Sequence, residues 1–142
     1  QSSSASGYSS GGTPSGGDTI DKFPFSSDAN ASDVGNLAVA RFDAVGQSSS
    51  ASGYTSGGYA PPGTTDTIDK FPFASDANAT DVGNLTQARY NVAGQSSTAS
   101  GYSSGGYTNT NIIDKFPFAS DANATDVGDL TQARRLVAGQ QY

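Results

Sequence analysis

The chain has 142 residues, 34% of them hydrophobic and 18 of them glycine, so its core must be assembled from short elements in thin layers. It contains no Cys, His, Met, Trp or Glu, which excludes a disulfide framework and a thiolate metal site and removes the commonest general base and metal ligand. The net charge is −6, with Lys and Arg scattered rather than gathered into a basic stripe. Neither nucleic-acid binding nor membrane insertion is therefore expected, since no apolar run approaches the roughly 20 residues of a membrane helix.

The first stretch, Gln1 to Gly12, reads QSSSASGYSSGG: small residues around Tyr8, predicting a strand ended by Gly11 and Gly12. A Pro- and Gly-containing surface loop follows from Thr13. Thr19 to Phe25, TIDKFPF, alternates and predicts a strand with Pro24 at an edge or at the strand end. Ser26 to Gly35, SSDANASDVG, is dense in turn formers whose side chains bond nearby backbone. Leu37 to Arg41 begins a further apolar stretch, and Phe42 to Ser50 leads into a second copy of the opening motif.

The rest of the chain repeats this unit. FPFASDANATDVGNLTQAR at Phe71 returns at Phe116 with one change, Asn84 against Asp129, and a looser copy stands at Phe23. Asp21, Asp69 and Asp114 mark periods of 48 and 45 residues, in the range of stacked or radially arranged repeats. Most of the difference lies in the connectors TPSGGD, YAPPGTTD and YTNTN. Three repeats are expected, at 1–46, 47–94 and 95–142, each of about four short strands in an all-β fold. LTQARYNVAG at Leu85 is too short to stand as a helix. A start at Gln1, inside a repeat, is expected of a processed chain or an excerpt of a longer polypeptide.

Arg41, Tyr54 and the pair Gly57–Gly58, recurring as Arg89, Tyr102 and Gly105–Gly106, resemble the kelch repeat of β-propellers, with FPF at Phe71 where that family carries a turn signal. The chain departs in lacking the family's third-strand Trp, whose nearest equivalents are Val34, Val82 and Val127. The wording FPFASDANATDVGDLT with GYTSGG is also similar to repeats of kelch-like proteins from marine bacteriophages. The resemblance implies propeller blades. A propeller closes with four to eight, so it also implies a homo-oligomer, two chains of three repeats per ring, or a longer array. A β-trefoil or β-prism with pseudo-threefold symmetry is the alternative architecture.

The chemical candidates lie in the acidic turns: Asp76, Asn78, Thr80, Asp81 and Asn84, and Asp121, Asn123, Thr125, Asp126 and Asp129, with Asp28, Asn30, Ser32, Asp33 and Asn36 in the first unit. Alternating oxygen ligands suit Ca²⁺, and DANATDVGDL resembles the calcium turn of integrin-type propellers, with Asp126 where that turn has glycine. The alternative is an Asx-type turn held by its own backbone hydrogen bonds. Asn30, Asn78, Asn84 and Asn123 open formal glycosylation sequons. Arg41, Arg89 and Arg134 are expected to be buried bridges, with Asp33, Asp81 and Asp126 as partners. Tyr8, Tyr54 and Tyr102 are assigned to the core, hydroxyl bonded. Tyr59, Tyr107 and Tyr142 are assigned to an exposed surface for glycan or cell-surface receptor contact.

Carboxylates that recur in every unit suit turns rather than one unique active site, so the chain is read as no enzyme. The expected function is a non-enzymatic, self-assembling structural and binding module of an extracellular or virion appendage, such as a tail fibre. The alternative is a lectin or small-ligand binder with three equivalent loops, with or without Ca²⁺.

Overall fold

The structure, a computed structural model, describes residues 1–13, 17–107 and 109–139. Among them there is no helix, and hence none long and apolar enough to cross a membrane. The fold is all-β. The strands are β1 (Ser6–Gly12), β2 (Gly17–Pro24), β3 (Ser32–Asn36), β4 (Val45–Ser48), β5 (Ser52–Ser56), β6 (Tyr59–Ala60), β7 (Gly63–Thr64), β8 (Thr67–Pro72), β9 (Thr80–Asn84), β10 (Ala93–Ser96), β11 (Ser100–Ser104), β12 (Ile112–Pro117) and β13 (Thr125–Asp129). They form antiparallel sheets in the orders β1-β2-β3, β4-β5-β8-β9 and β10-β11-β12-β13, plus the hairpin β6-β7. None of the sheets closes into a barrel.

Two of the three units thus have the four strands expected. In the first unit the first strand is reduced to a bridge between Ser2 and Gly7, leaving three. The last strand of each sheet lies in a stretch that reads as turn in the sequence. The Leu37–Arg41 stretch is irregular, whereas SDVGN, read as turn, is β3. The strand survives its turn-forming residues because a bulge absorbs them. Ile20 faces Gly35 while Asp21 faces Asp33, so Val34 is the extra residue, and Val82 and Val127 are the extra residues in the other units. The Asp33, Asp81 and Asp126 carboxylates accept the N–H groups of Gly35, Gly83 and Gly128 at 3.1, 3.1 and 3.0 Å, so the Asx bonding occurs inside a bulged strand.

Serine sets the hairpin that opens each unit. Ser49 Oγ accepts from the N–H groups of Ala51 and Ser52, and Ser3 and Ser97 do the same for Ala5 and Ser6 and for Ala99 and Ser100. On the next pair of strands Gly53 faces Phe71, and a Cβ on Gly53 would lie 2.3 Å from the ring, so the glycine lets the ring lie flat across the strand. Pro24, Pro72 and Pro117 are each the last residue of their strand, as predicted. The connector at Tyr59 is not a plain loop: it forms the hairpin β6-β7 around a cis Pro61–Pro62 bond.

A single unit has no hydrophobic core of its own. One cluster joins Tyr8, Ile20 and Leu37 of the first unit to Phe71 and Ala79 of the second; the other joins Tyr54, Ile68 and Leu85 to Phe116 and Ala124 of the third. Strand alternation places Tyr, Ile and Lys on one face of each sheet, here called the forward face, and the Phe and Asp of IDKFPF on the rear face. Each core is therefore a forward face closed by the rear face of the next unit.

Candidate functional site

The chemistry-bearing side chains concentrate at these two junctions. Arg41 is fully buried; its Nη1 lies 3.1 Å from Asp69 Oδ2 of the next unit and its Nη2 donates to Thr55 O at 2.8 Å. Arg89 repeats the arrangement with Asp114 Oδ2 at 2.9 Å and Ser103 O at 3.0 Å. Arg41 and Arg89 are buried bridges, as expected, but the partner is the Asp of IDKFPF rather than Asp33 or Asp81; Arg134, expected to be a third buried bridge to Asp126, is exposed. Asp33, Asp81 and Asp126 are held at their own bulges and are exposed. Burial lowers the Arg41 and Arg89 pKa values and raises that of Asp69, with the paired charges opposing the shift in each case.

The glycine pairs and arginines that suggested a kelch-like unit are coupled. Gly58 N donates to Arg89 O at 2.9 Å within the second unit, and Gly12 and Gly106 do so to Arg41 and Arg134. A side chain on Gly58 would stand 3.1 Å from Arg41 Cδ of the preceding unit, so the pair shapes the slot in which the buried guanidinium lies.

The acidic turns are also drawn into the junctions. Lys22 Nζ meets Asp76 Oδ1 at 3.0 Å, and Lys70 Nζ meets Asp121 Oδ1 at 2.9 Å. The Asn36 N–H donates to Asn78 Oδ1, and Ala79 N–H returns a bond to Asn36 O; Asn84, Asn123 and Ala124 repeat this set. Gly83 (φ +155°) makes the close approach possible, because a Cβ there would lie 2.5 Å from Ala122 O. The candidate cation ligands are thus spread over different roles. Asp76 and Asp121 pair with lysine, Asn78 and Asn123 receive a neighbouring strand end, Asp81 and Asp126 cap bulges, and Thr80, Thr125 and Asp129 lie exposed on β9 and β13. Among the described residues no three carboxylates gather at one point.

Gln1 and Gln47 form a further inter-unit contact that sequence reading missed. Gln47 Nε2 bonds Ser56 Oγ at 2.9 Å in its own unit, and Tyr102 O at 3.0 Å and Ser103 Oγ at 2.9 Å in the next; Gln1 does the same with Ser10, Tyr54 and Thr55. The signal was present in the recurrence of Gln before each SS-x-ASGY. Between the first strands, Ser2 N–H donates to Ser48 Oγ and Ser48 N–H to Ser96 Oγ, beside an open hydroxyl-lined depression of about 680 Å³.

Tyr59 and Tyr107, assigned to a contact surface, stand in an aromatic ladder. Phe42 meets Tyr59 at 5.3 Å between centroids, Tyr59 meets Tyr90 at 5.6 Å, and Tyr90 stacks on Tyr107 at 4.7 Å. The Arg135 guanidinium caps the ladder 5.1 Å from the Tyr107 centroid. Tyr107 is 40% exposed. Phe42, Tyr90 and Arg135 were missed, although each directly follows a unit's arginine. Tyr8 and Tyr54 are buried as assigned and Tyr102 is half-buried; Tyr142 lies outside the described residues.

No protein-family model matches the chain, and no match to a curated protein was found.

Proposed function

We propose that the chain is a non-enzymatic structural repeat module of kelch-like, propeller-blade type, which acts by assembling into a larger extracellular or virion appendage such as a tail fibre. The observation that carries this reading is the use to which the repeated polar side chains are put. Arg, Asp, Lys, Asn and Gln at the recurring positions hold one unit to the next, and the same contacts occur at both junctions. Side chains committed to the same inter-unit contacts at both junctions suit a structural role rather than one unique active site. The blade assignment is supported by sheets whose strands follow chain order and pack face to face on their neighbours. Three blades fall short of the four to eight of a closed ring, so two chains are needed for a ring of six. Native mass measurement together with low-resolution imaging tests this: a particle with six units about one axis is expected. A strictly monomeric 14.3 kDa particle overturns it.

The aromatic ladder favours a second reading, a glycan- or receptor-contacting surface built on Tyr59, Tyr90 and Tyr107, since amphipathic rings held rigid supply contact area at little entropic cost. Glycan-array binding that is lost in Tyr107→Ala supports it, and an array without binders removes it.

A further inference from the structure

The two outer faces of the three-unit chain are unpartnered copies of the surfaces buried at its junctions. At the rear of the first unit, Phe23 is 38% exposed where the equivalent Phe71 and Phe116 are 1% exposed, and Phe25 is 56% exposed where Phe73 and Phe118 are half-buried. Asp21 is half-buried where Asp69 and Asp114 are fully buried. At the forward face of the third unit Arg134 is exposed where Arg41 and Arg89 are buried, and Tyr102, Ile113 and Leu130 are only half-covered. Gly35 and Gly83 are approached by the turn of the next unit, whereas nothing lies within 4 Å of where a Gly128 Cβ would be.

We propose that the forward face of the third unit docks the rear face of the first unit of a second copy of this chain, head to tail. This rests on the assembling-module reading above and specifies its contact. By the register of the existing junctions, Arg134 pairs with the partner's Asp21 and Lys115 with the partner's Asp28. Tyr102 receives the partner's Phe23 and Phe25, and the Thr131 hydroxyl completes the Asp21 carboxylate as Thr86 completes Asp114. The two faces are complementary in charge, cationic forward and anionic to the rear. Both carry the apolar residues that form the existing cores. A second copy is the occupant because it carries the matching surface in this order of residues.

The C-terminal segment extends the same register. A Cβ on Gly139 would lie 2.1 Å from Gly94 O, as one on Gly94 lies 2.7 Å from Gly46 O, so residues 137–139 run beside β10 as β10 runs beside β4. They occupy the place of a fourth unit's first strand, which is the strand missing from the β1-β2-β3 sheet. Docking therefore brings this segment to Ser9 and Ser10, the part of the β1 edge that Gln1 and Ser2 leave unpaired. Such a contact is heterologous, and it closes into a ring or runs on as a filament according to its rotation.

The absence of cysteine allows a direct test. Ser10 with Thr55, and Ser56 with Ser103, have hydroxyl oxygens 2.7 and 2.8 Å apart across the junctions, and the same register sets Ser104 against the partner's Ser9. The Ser9→Cys/Ser104→Cys chain is expected to give covalent oligomers under oxidation, with neither single variant going beyond a dimer. In sedimentation velocity, Arg134→Ala and Asp21→Ala are each expected to lower the association constant at least tenfold while the far-UV spectrum is unchanged. If the unmodified chain associates but the paired cysteines do not link and neither variant weakens it, head-to-tail docking is overturned and the assembling-module reading stands. If the unmodified chain stays monomeric at every concentration, both fall.

Discussion

Thr86 Oγ1 donates to Asp114 Oδ1 at 2.7 Å, while its backbone N–H and Arg89 Nη2 both reach Oδ2, so this buried carboxylate is bonded at both oxygens. At the equivalent junction Ala38 stands where Thr86 does. Its N–H reaches Asp69 Oδ2 at 2.9 Å, and Asp69 Oδ1 is left without a partner. An unpartnered buried oxygen costs more than a typical hydrogen bond contributes. Ala38→Thr is therefore expected to raise stability by about 1 kcal/mol, and Thr86→Ala to lower it by about 1–3 kcal/mol. Urea unfolding of the two variants checks this; equal and negligible shifts would show that the oxygen is satisfied in some other way.

The buried pairs and the exposed pairs at the same junctions should respond differently to mutation. Arg89→Ala leaves the buried Asp114 without its cationic partner and is expected to cost about 3–5 kcal/mol, whereas Arg89→Met with Asp114→Leu recovers most of the loss. Lys70→Ala removes a pair whose carboxylate is 58% exposed and is expected to cost under about 1 kcal/mol. Thermal melts of the three variants would reveal a contrary order.

Alkaline pH should loosen the junctions. Burial raises the Tyr54 phenol above its ordinary 10.0, and the hydrogen bond to Asp121 raises Lys70 above 10.5. In both cases the folded chain keeps a proton that the unfolded chain gives up. Stability is then full below about pH 10 and falls as pH rises through the folded-state values. Circular-dichroism melts from pH 8 to 11 should show that decline, and Tyr54→Phe should make it shallower. A flat profile in the unmodified chain contradicts the assignment.

Calcium should have little effect on the folded chain. Asp121 is held by Lys70, Asn123 Oδ1 by the Asn84 N–H and Asp126 by Gly128, so these oxygens would have to leave existing partners to bind a cation. Melting midpoints in millimolar Ca²⁺ and in chelator are expected to coincide. A rise with Ca²⁺ that disappears in Asp121→Asn would instead place a cation in the turn.

The sequence by itself determined what local chemistry can determine: three copies of one unit, an all-β chain, proline at the strand ends, and buried Tyr8, Tyr54, Arg41 and Arg89. Each follows from alternation, from the missing N–H of proline, or from a charged residue recurring among small ones. It misled at DVGN, because Asp and Gly read as turn formers when a bulge lets them sit within a strand. It also could not pair Arg41 with Asp69, which lies 28 residues further along the chain. Only the tertiary structure decided that each core lies between units rather than within one. The physical reason is that one antiparallel sheet has two faces and nothing of its own to cover either, so what buries Phe71 or Arg89 is fixed by the neighbouring unit and not by neighbouring residues in the chain.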